Sequence, residues 1–235
     1  MNFEEKLDSK LKENQIYLSQ DQLYKFKIYY KLLVEYNNKF NLTSITEEDD
    51  VIVKHFLDSL LGAKFVNRGR VIDVGTGAGF PGIPLKIMNN DIDLVLVDSV
   101  KKKVDFLQIL VSQLDLKGVE CIHSRIEDLA HEPDYREGFD FCVSRAVAPL
   151  NVLAEYMIPF LKVGARAYAY KSQQLDEELD KAKYGIMKLC GAVSNTYTYN
   201  INDMDRKLLE IKKVSATPKE FPRGKNLPRT KTLNG

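Results

Sequence analysis

Asp73-Val74-Gly75-Thr76-Gly77-Ala78-Gly79-Phe80-Pro81-Gly82 places four glycines within the eight residues from Gly75 to Gly82. The stretch follows a short apolar run, Arg70–Val74, and precedes a helical pattern. A glycine loop is informative in that strand–loop–helix context, because glycine lets the backbone turn sharply and approach a ligand closely. Outward from the loop, further short apolar runs recur at 93–98, 119–123, 139–143 and 165–170. Helical stretches lie between them, most clearly the face formed by Val100, Val104, Leu107, Val111 and Leu114. Strands alternating with helices predict βαβ units and a mostly parallel sheet covered on both faces.

Residues 3–62 read as helical, with Leu23, Phe26, Tyr30, Leu33, Val34 and Asn37 near one face and Asp49 as the N-cap of a further helix. Ala192–Tyr199 and Leu208–Val214 read as a closing antiparallel pair joined by a polar turn over 200–207. The expected organisation is therefore a helical segment over 1–62, a Rossmann-like α/β domain with a seven-stranded sheet over 63–214, and a basic tail over 215–235. The last 18 residues, rich in Pro, Lys and Arg, are assigned no regular structure.

The formal net charge of +1 is unevenly spread. Residues 206–235 carry nine Lys or Arg against two Glu, a local +7, which leaves −6 on the remainder. A basic end on an acidic body suggests a polyanion partner. No apolar run reaches the roughly 18 residues of a membrane span, and Met1–Lys12 lacks the apolar stretch of a signal peptide. Cys121, Cys142 and Cys190 lie far apart with no CxxC pair, which argues against a disulfide framework or a metal site and fits a reducing, cytoplasmic setting.

The loop itself has two readings. Gly77, Gly79 and Gly82 match the GxGxxG dinucleotide fingerprint. Asp73, Gly75, Gly77 and Gly79 equally match an acidic-x-GxGxG loop for S-adenosylmethionine (AdoMet). Electrostatics favours the second. A dinucleotide would bring two anionic phosphates close to Asp73, whereas AdoMet brings an ammonium that a carboxylate can bind. Asp98 ends the second run, where a carboxylate can accept both ribose hydroxyls or cap the following helix. Arg125-Ile126-Glu127-Asp128 follows the third run and is placed to edge an adenine, since ligands in open α/β sheets bind beyond the carboxyl ends of the strands.

Asn41-Leu42-Thr43, His55-Phe56-Leu57-Asp58-Ser59-Leu60, the loop extended to Ile83-Pro84-Leu85, Lys102–Leu107 and Ser144-Arg145-Ala146-Val147-Ala148-Pro149-Leu150 occur in this order. Together they resemble the small-subunit ribosomal RNA methyltransferase G family, also called glucose-inhibited division protein B. The resemblance covers residues 40–171 and extends to Phe221-Pro222-Arg223. It implies a class I AdoMet-dependent methyltransferase fold and methylation of a guanine N7 in 16S ribosomal RNA of the 30S subunit. It also implies that Gly75, Phe80, Ile126, Glu127 and Arg145 meet AdoMet. Asp98 stands where many members carry Glu, and the carboxylate is kept.

The chemistry agrees. Guanine N7 has a free lone pair and no proton to lose, so its methylation needs alignment and no general base. No Pro-Pro-aromatic motif for amine methylation follows the fourth run, and no Pro-Cys nucleophile is present. Arg145 occupies that position and could pair with the AdoMet carboxylate, an RNA phosphate or guanine O6. His55, Lys171 and Arg223 are the other expected substrate contacts, with Asp58 beside His55. Phe80 is a candidate to stack on a base or on the adenosine. The expected protein is a monomer with no metal. Rivals are an AdoMet enzyme for a small molecule, an NAD-dependent oxidoreductase and a non-catalytic RNA-binding protein.

Overall fold

The computed structural model describes residues 1–202 and 204–233. Seven strands form one sheet in the order β3-β2-β1-β4-β5-β7-β6. They are β1 Gly69–Val74, β2 Ile92–Asp98, β3 Val119–His123, β4 Phe139–Arg145, β5 Leu161–Ser172, β6 Gly191–Ile201 and β7 Met204–Lys213. The pairs among β1 to β5 are parallel, and β7 runs antiparallel to both β5 and β6. The mostly parallel seven-stranded expectation holds. The closing strands are longer than expected, because β6 runs on to Ile201 and β7 begins at Met204, inside the polar 200–207 stretch. Strand order reverses at β1, between β2 and β4, so a crevice opens there at the carboxyl edge of the sheet.

Each face of the sheet carries its own apolar layer. On one face lie α1 Phe3–Glu13, α2 Gln20–Phe40, α5 Gly82–Met88 and α6 Lys101–Gln113, in a core that includes Leu7, Phe26, Phe56, Ile83, Leu96 and Leu107. On the other lie α8 Leu150–Met157 and α9 Leu175–Lys188, in a core with Ile72, Cys142, Leu153, Phe160 and Ile211. The N-terminal helices thus share a continuous core with the sheet. Both start on a capping box, Asn2 with Glu5 and Ser19 with Gln22, so two orphan amides are satisfied at each start.

Three local expectations need correction. The buried tyrosine of α2 is Tyr29; Tyr30 stays half-buried and stacks on Phe3. Both tyrosines flank the apolar stripe, and Tyr29 is drawn inward because its hydroxyl donates to the Ala78 carbonyl at 2.7 Å. The next helix, α3 Glu48–Val51, has Glu47 at its N-cap, so it starts before Asp49. It runs directly into a π-helical turn, Ile52–Leu57, and then α4 Asp58–Leu60. A π-turn re-aims side chains relative to a regular helix and is frequent at functional sites; here it carries His55.

The third correction concerns the tail. Residues 215–233 pack against the body and include a short helix, α10 Leu227–Thr230. Phe221, Leu233 and Thr217 are buried. Arg136 donates to the carbonyls of Thr217, Pro218 and Phe221, and Glu137 accepts from both Lys213 Nζ and Thr217 N. Arg223 forms a bidentate pair with Glu155 of α8, whose side chain is fully buried. Composition suggests a solvated chain because the cations are plentiful; Arg223 is committed to a buried carboxylate instead, and Arg229 to the Val147 carbonyl.

Among the described residues, no helix is long and apolar enough to cross a membrane, and no group of three or more His, Cys, Asp or Glu is placed to hold a metal.

Candidate functional site

The crevice at the strand-order reversal holds two adjoining cavities, of about 720 and 630 Å³. Gly75, Lys103, Ala146 and Val147 line both. Of the glycine loop, Gly75 lines both, and Thr76, Gly77, Ala78 and Phe80 line the larger. Gly75 and Gly79 take φ of +69° and +105°, which side-chain-bearing residues rarely adopt. A Cβ on Gly79 would also meet Tyr29, Ile83 and Leu107 at 3.0 Å or less.

Asp73 occupies a different place from that expected. It is fully buried beneath the loop and is absent from both cavity walls. Its Oδ2 accepts from Thr76 Oγ1 at 2.7 Å and from Gly82 N at 2.8 Å, which ties the two ends of the loop together. Oδ1 has no hydrogen-bond partner among the described residues. Burial pushes its pKa up to about 7, against the downward pull of those two hydrogen bonds. Its role in this geometry is to hold the loop.

The smaller cavity is lined by Asp98, Ser99, Arg125, Ile126, Glu127 and Asp128, as the carboxyl-end argument anticipates. Asp98 Oδ2 accepts from Gly77 N and Oδ1 from Val100 N, so Asp98 braces the loop and holds the backbone just ahead of α6, whose N-cap is Val100 and carries no side-chain cap. Each carboxylate oxygen keeps a further lone pair for a ligand. Ile126 and Glu127 sit at the start of the short helix α7 Ile126–Leu129. The far wall is Tyr156, Asn226 and Arg229. Arg229 lies over the Tyr156 ring and donates to the Val147 carbonyl. Sequence reading misses this contribution of the C-terminal segment. The only signal for it is the Pro-Arg pair at Pro228-Arg229, indistinguishable from tail composition.

The larger cavity gathers Thr43, His55, Arg145 and Lys171 with Asp58, Tyr170 and Arg206. Arg145, at the end of β4, is held by several acceptors. Its Nη1 donates to the Asp58 carboxylate at 2.7 Å and to the Lys54 and His55 carbonyls, and its Nη2 to His55 Nδ1 at 3.2 Å. Asp58 is buried and also pairs with Arg206 of β7 at 3.2 Å. The π-turn brings His55 and Asp58 to the same arginine. His55 is buried, and burial followed by the neighbouring Arg145 charge pushes its pKa down to about 3, so the ring is neutral. Phe80 is buried among Tyr29, His55 and Arg145, with ring centroids 5.1 and 4.4 Å from the first two, and offers little face to a base. Lys171 points into the cavity but donates to Glu178 and to the Ala148 carbonyl. Arg223 reaches neither cavity, because it is committed to Glu155.

The two cavities differ in charge. Six cations, Lys54, Lys103, Arg145, Lys171, Arg206 and Lys207, line the larger against Asp58 and Glu178. In the smaller, Asp98, Glu127 and Asp128 balance Lys103, Arg125 and Arg229. Carboxylates beside an apolar wall suit the hydroxyls and ring of an adenosine, and the donor set therefore fits AdoMet. A cation-rich mouth suits phosphates.

The model of the family described as rRNA small subunit methyltransferase G matches residues 22–209. A curated relative of that name from Desulfitobacterium hafniense is 44% identical over 220 residues, covering 93% of this chain and 92% of its own length. Another from Alkaliphilus oremlandii is 46% identical and covers 88% of each. Among solved structures, a SAM-dependent methyltransferase from Aquifex aeolicus superposes with a TM-score of 0.54 at 16% identity, over 73% of this chain and 96% of its own. At that identity the likeness speaks for the fold alone.

Proposed function

The chain belongs to the rRNA small subunit methyltransferase G family, and on that premise we propose that it transfers a methyl group from AdoMet to N7 of a guanine in 16S ribosomal RNA of the small subunit. The observation that carries this reading is the pairing of a charge-balanced cavity that holds Asp98, Glu127 and Asp128 with a cation-rich one, Gly75 of the glycine loop lining both.

Bound AdoMet supplies an electrophilic methyl on a sulfonium. Guanine N7, with a free lone pair and no proton to lose, would accept that methyl as the C–S bond breaks, leaving S-adenosylhomocysteine and a cationic 7-methylguanine. Asp98 accepts from the ribose hydroxyls through its remaining lone pairs. Ile126 and Glu127 edge the adenine, Ile126 by apolar contact. The turn at Gly75 and Gly77 allows the backbone close to the cofactor's amino-acid end. Arg145 borders the junction of the two cavities; its Nε and one Nη2 proton are left over from the contacts to Asp58 and His55 and can donate to an anionic or carbonyl oxygen there. Arg206, Lys207 and Lys54 hold RNA phosphates. No side chain needs to act as a base, and the neutral, buried His55 is not placed as one. Alignment of this kind can supply several kcal/mol of the barrier, up to about 7 to 11 in the best cases.

The test is transfer of radiolabelled methyl from AdoMet to 30S subunits that lack their native methylations, with Arg145→Ala alongside. Label at a 16S guanine that becomes sensitive to N7-specific strand cleavage supports the reading. AdoMet binding with no label in RNA or subunits overturns it in favour of a small-molecule substrate.

A further inference from the structure

Thr43 lies at the outer rim of the larger cavity, and its hydroxyl is held in one hydrogen-bonding role by a chain that begins at Arg145. Arg145 Nη2 faces His55 Nδ1 at 3.2 Å. A guanidinium has no acceptor, so Nδ1 must accept and carry no proton. The ring is neutral, so its single proton resides on Nε2. Nε2 lies 2.9 Å from Thr43 Oγ1 and therefore donates to it. The backbone N–H of Ile45 also donates to Thr43 Oγ1, at 3.1 Å. A hydroxyl has two lone pairs and one proton. Both lone pairs are taken, the proton has no acceptor among the described residues, and the side chain borders the cavity.

Phe80 adjoins the loop, His55 stacks on Phe80 with centroids 4.4 Å apart, and Thr43 lies one hydrogen bond further out. An acceptor that meets Thr43 thus belongs to whatever enters the outer cavity. Resting on the guanine-N7 reading above, we propose that Thr43 selects guanine over adenine by donating to O6, the acceptor beside N7. Adenine shows the same N7 but an N6 amino donor at that place. An ordinary hydroxyl could turn and accept from that amine. Thr43 cannot, because its lone pairs are already occupied, and two donors would face each other. The sequence offers Asn41-Leu42-Thr43 with no indication of this; the constraint arises only when the loop, the π-turn and the end of β4 meet.

The experiment compares wild type, Thr43→Ser and Thr43→Val on reconstituted 30S subunits in which the guanine labelled by wild type is kept or replaced by 2,6-diaminopurine, which has an amine in place of O6. AdoMet affinity is measured in parallel. Wild type and Thr43→Ser should methylate the guanine substrate alike and discriminate against the analogue. Thr43→Val should keep AdoMet affinity, lose roughly tenfold in kcat/KM on guanine, and lose most of the discrimination. A purely structural role would lower both substrates equally and leave their ratio unchanged, and that result overturns the proposal, as does undiminished discrimination by Thr43→Val. Loss of AdoMet affinity in Thr43→Val also overturns it, by moving the contact to the cofactor. Failure of wild type to label any guanine would instead remove the underlying reading.

Discussion

The two ends of the cleft are assembled in different ways. The end assigned to the adenosine is made largely of short runs at strand ends, Asp98-Ser99 and Arg125 to Asp128, each next to the strand that positions it, with Tyr156, Asn226 and Arg229 as its far wall. The outer end is made of segments scattered between Thr43 and Arg206, joined by side chains that meet only in three dimensions. A site of the first kind is set by the fold and tolerates local change. One of the second kind depends on a few shared groups, above all Asp58 and Arg145, whose loss propagates.

The largest expected effect comes from deleting residues 215–235, because this segment walls the adenosine end and also closes a core. Removal strips Arg223 from the fully buried Glu155 and exposes the surface under Phe221. An uncompensated buried charge costs roughly 3–5 kcal/mol, a large share of a typical domain's stability of about 5–15 kcal/mol. AdoMet affinity and thermal stability should both fall. Denaturant unfolding and AdoMet titration check this; loss of RNA affinity alone, with both unchanged, would restore the view of a free basic tail.

Arg145→Ala should come next. Methyl transfer should drop by a hundredfold or more, on the order of 3 kcal/mol, because Asp58, His55 and the π-turn lose their common partner. Asp58→Asn should show a smaller loss in the same direction. A variant pair with equal, modest losses in steady-state kinetics would mean that the network is not the support of the outer end.

Replacing Arg206 and Lys207 with alanine should weaken RNA binding and flatten its salt dependence, by about one unit of log–log slope for each phosphate that is no longer neutralised. AdoMet affinity should be unchanged. If both affinities fall together, the division of the cleft by charge is wrong.

The smallest effect is a pH slope. His55 has a folded pKa of about 3, against 6.5 for the free side chain. Below pH 6.5 the unfolded chain takes up a proton that the folded chain refuses, so stability is lost as the pH falls from 6.5 toward 3. Asp73 acts in the opposite sense. Its folded pKa of about 7 lies above 3.8, so the folded chain holds the extra proton and gains stability as the pH falls from 7 toward 3.8. Urea unfolding of His55→Gln should therefore show the gap to wild type narrowing between pH 7 and pH 5. A constant gap would mean that the ring titrates normally.

The legibility of the site follows the same division. The loop, β1, β2 and the carboxylates at their ends are readable because each is a local pattern tied to its neighbouring strand. Asp73 stands out in the sequence but as a ligand-binding group, since sequence cannot tell a carboxylate turned into the cavity from one turned under the loop. Arg223 and Lys171 read as substrate contacts because a cation's partner, here Glu155 or Glu178, is invisible until the chain folds. Phe80 reads as a stacking platform, but Tyr29 and His55 already lie against it. Thr43 shows in the sequence only within a motif of the resemblance and Arg206 only as one cation of the basic end, neither with a role attached, and the role of Asp58 as a hub depends on contacts that span most of the chain.

The division of the cleft is tested most directly by Asp98→Ala, with AdoMet affinity measured by calorimetry and methyl transfer to 30S subunits followed at limiting and saturating AdoMet. A weakening of AdoMet binding by about tenfold or more, with transfer recovering at saturating AdoMet and RNA affinity unchanged, is the predicted result. Unchanged AdoMet affinity together with lost RNA binding would contradict the assignment of this end to the cofactor.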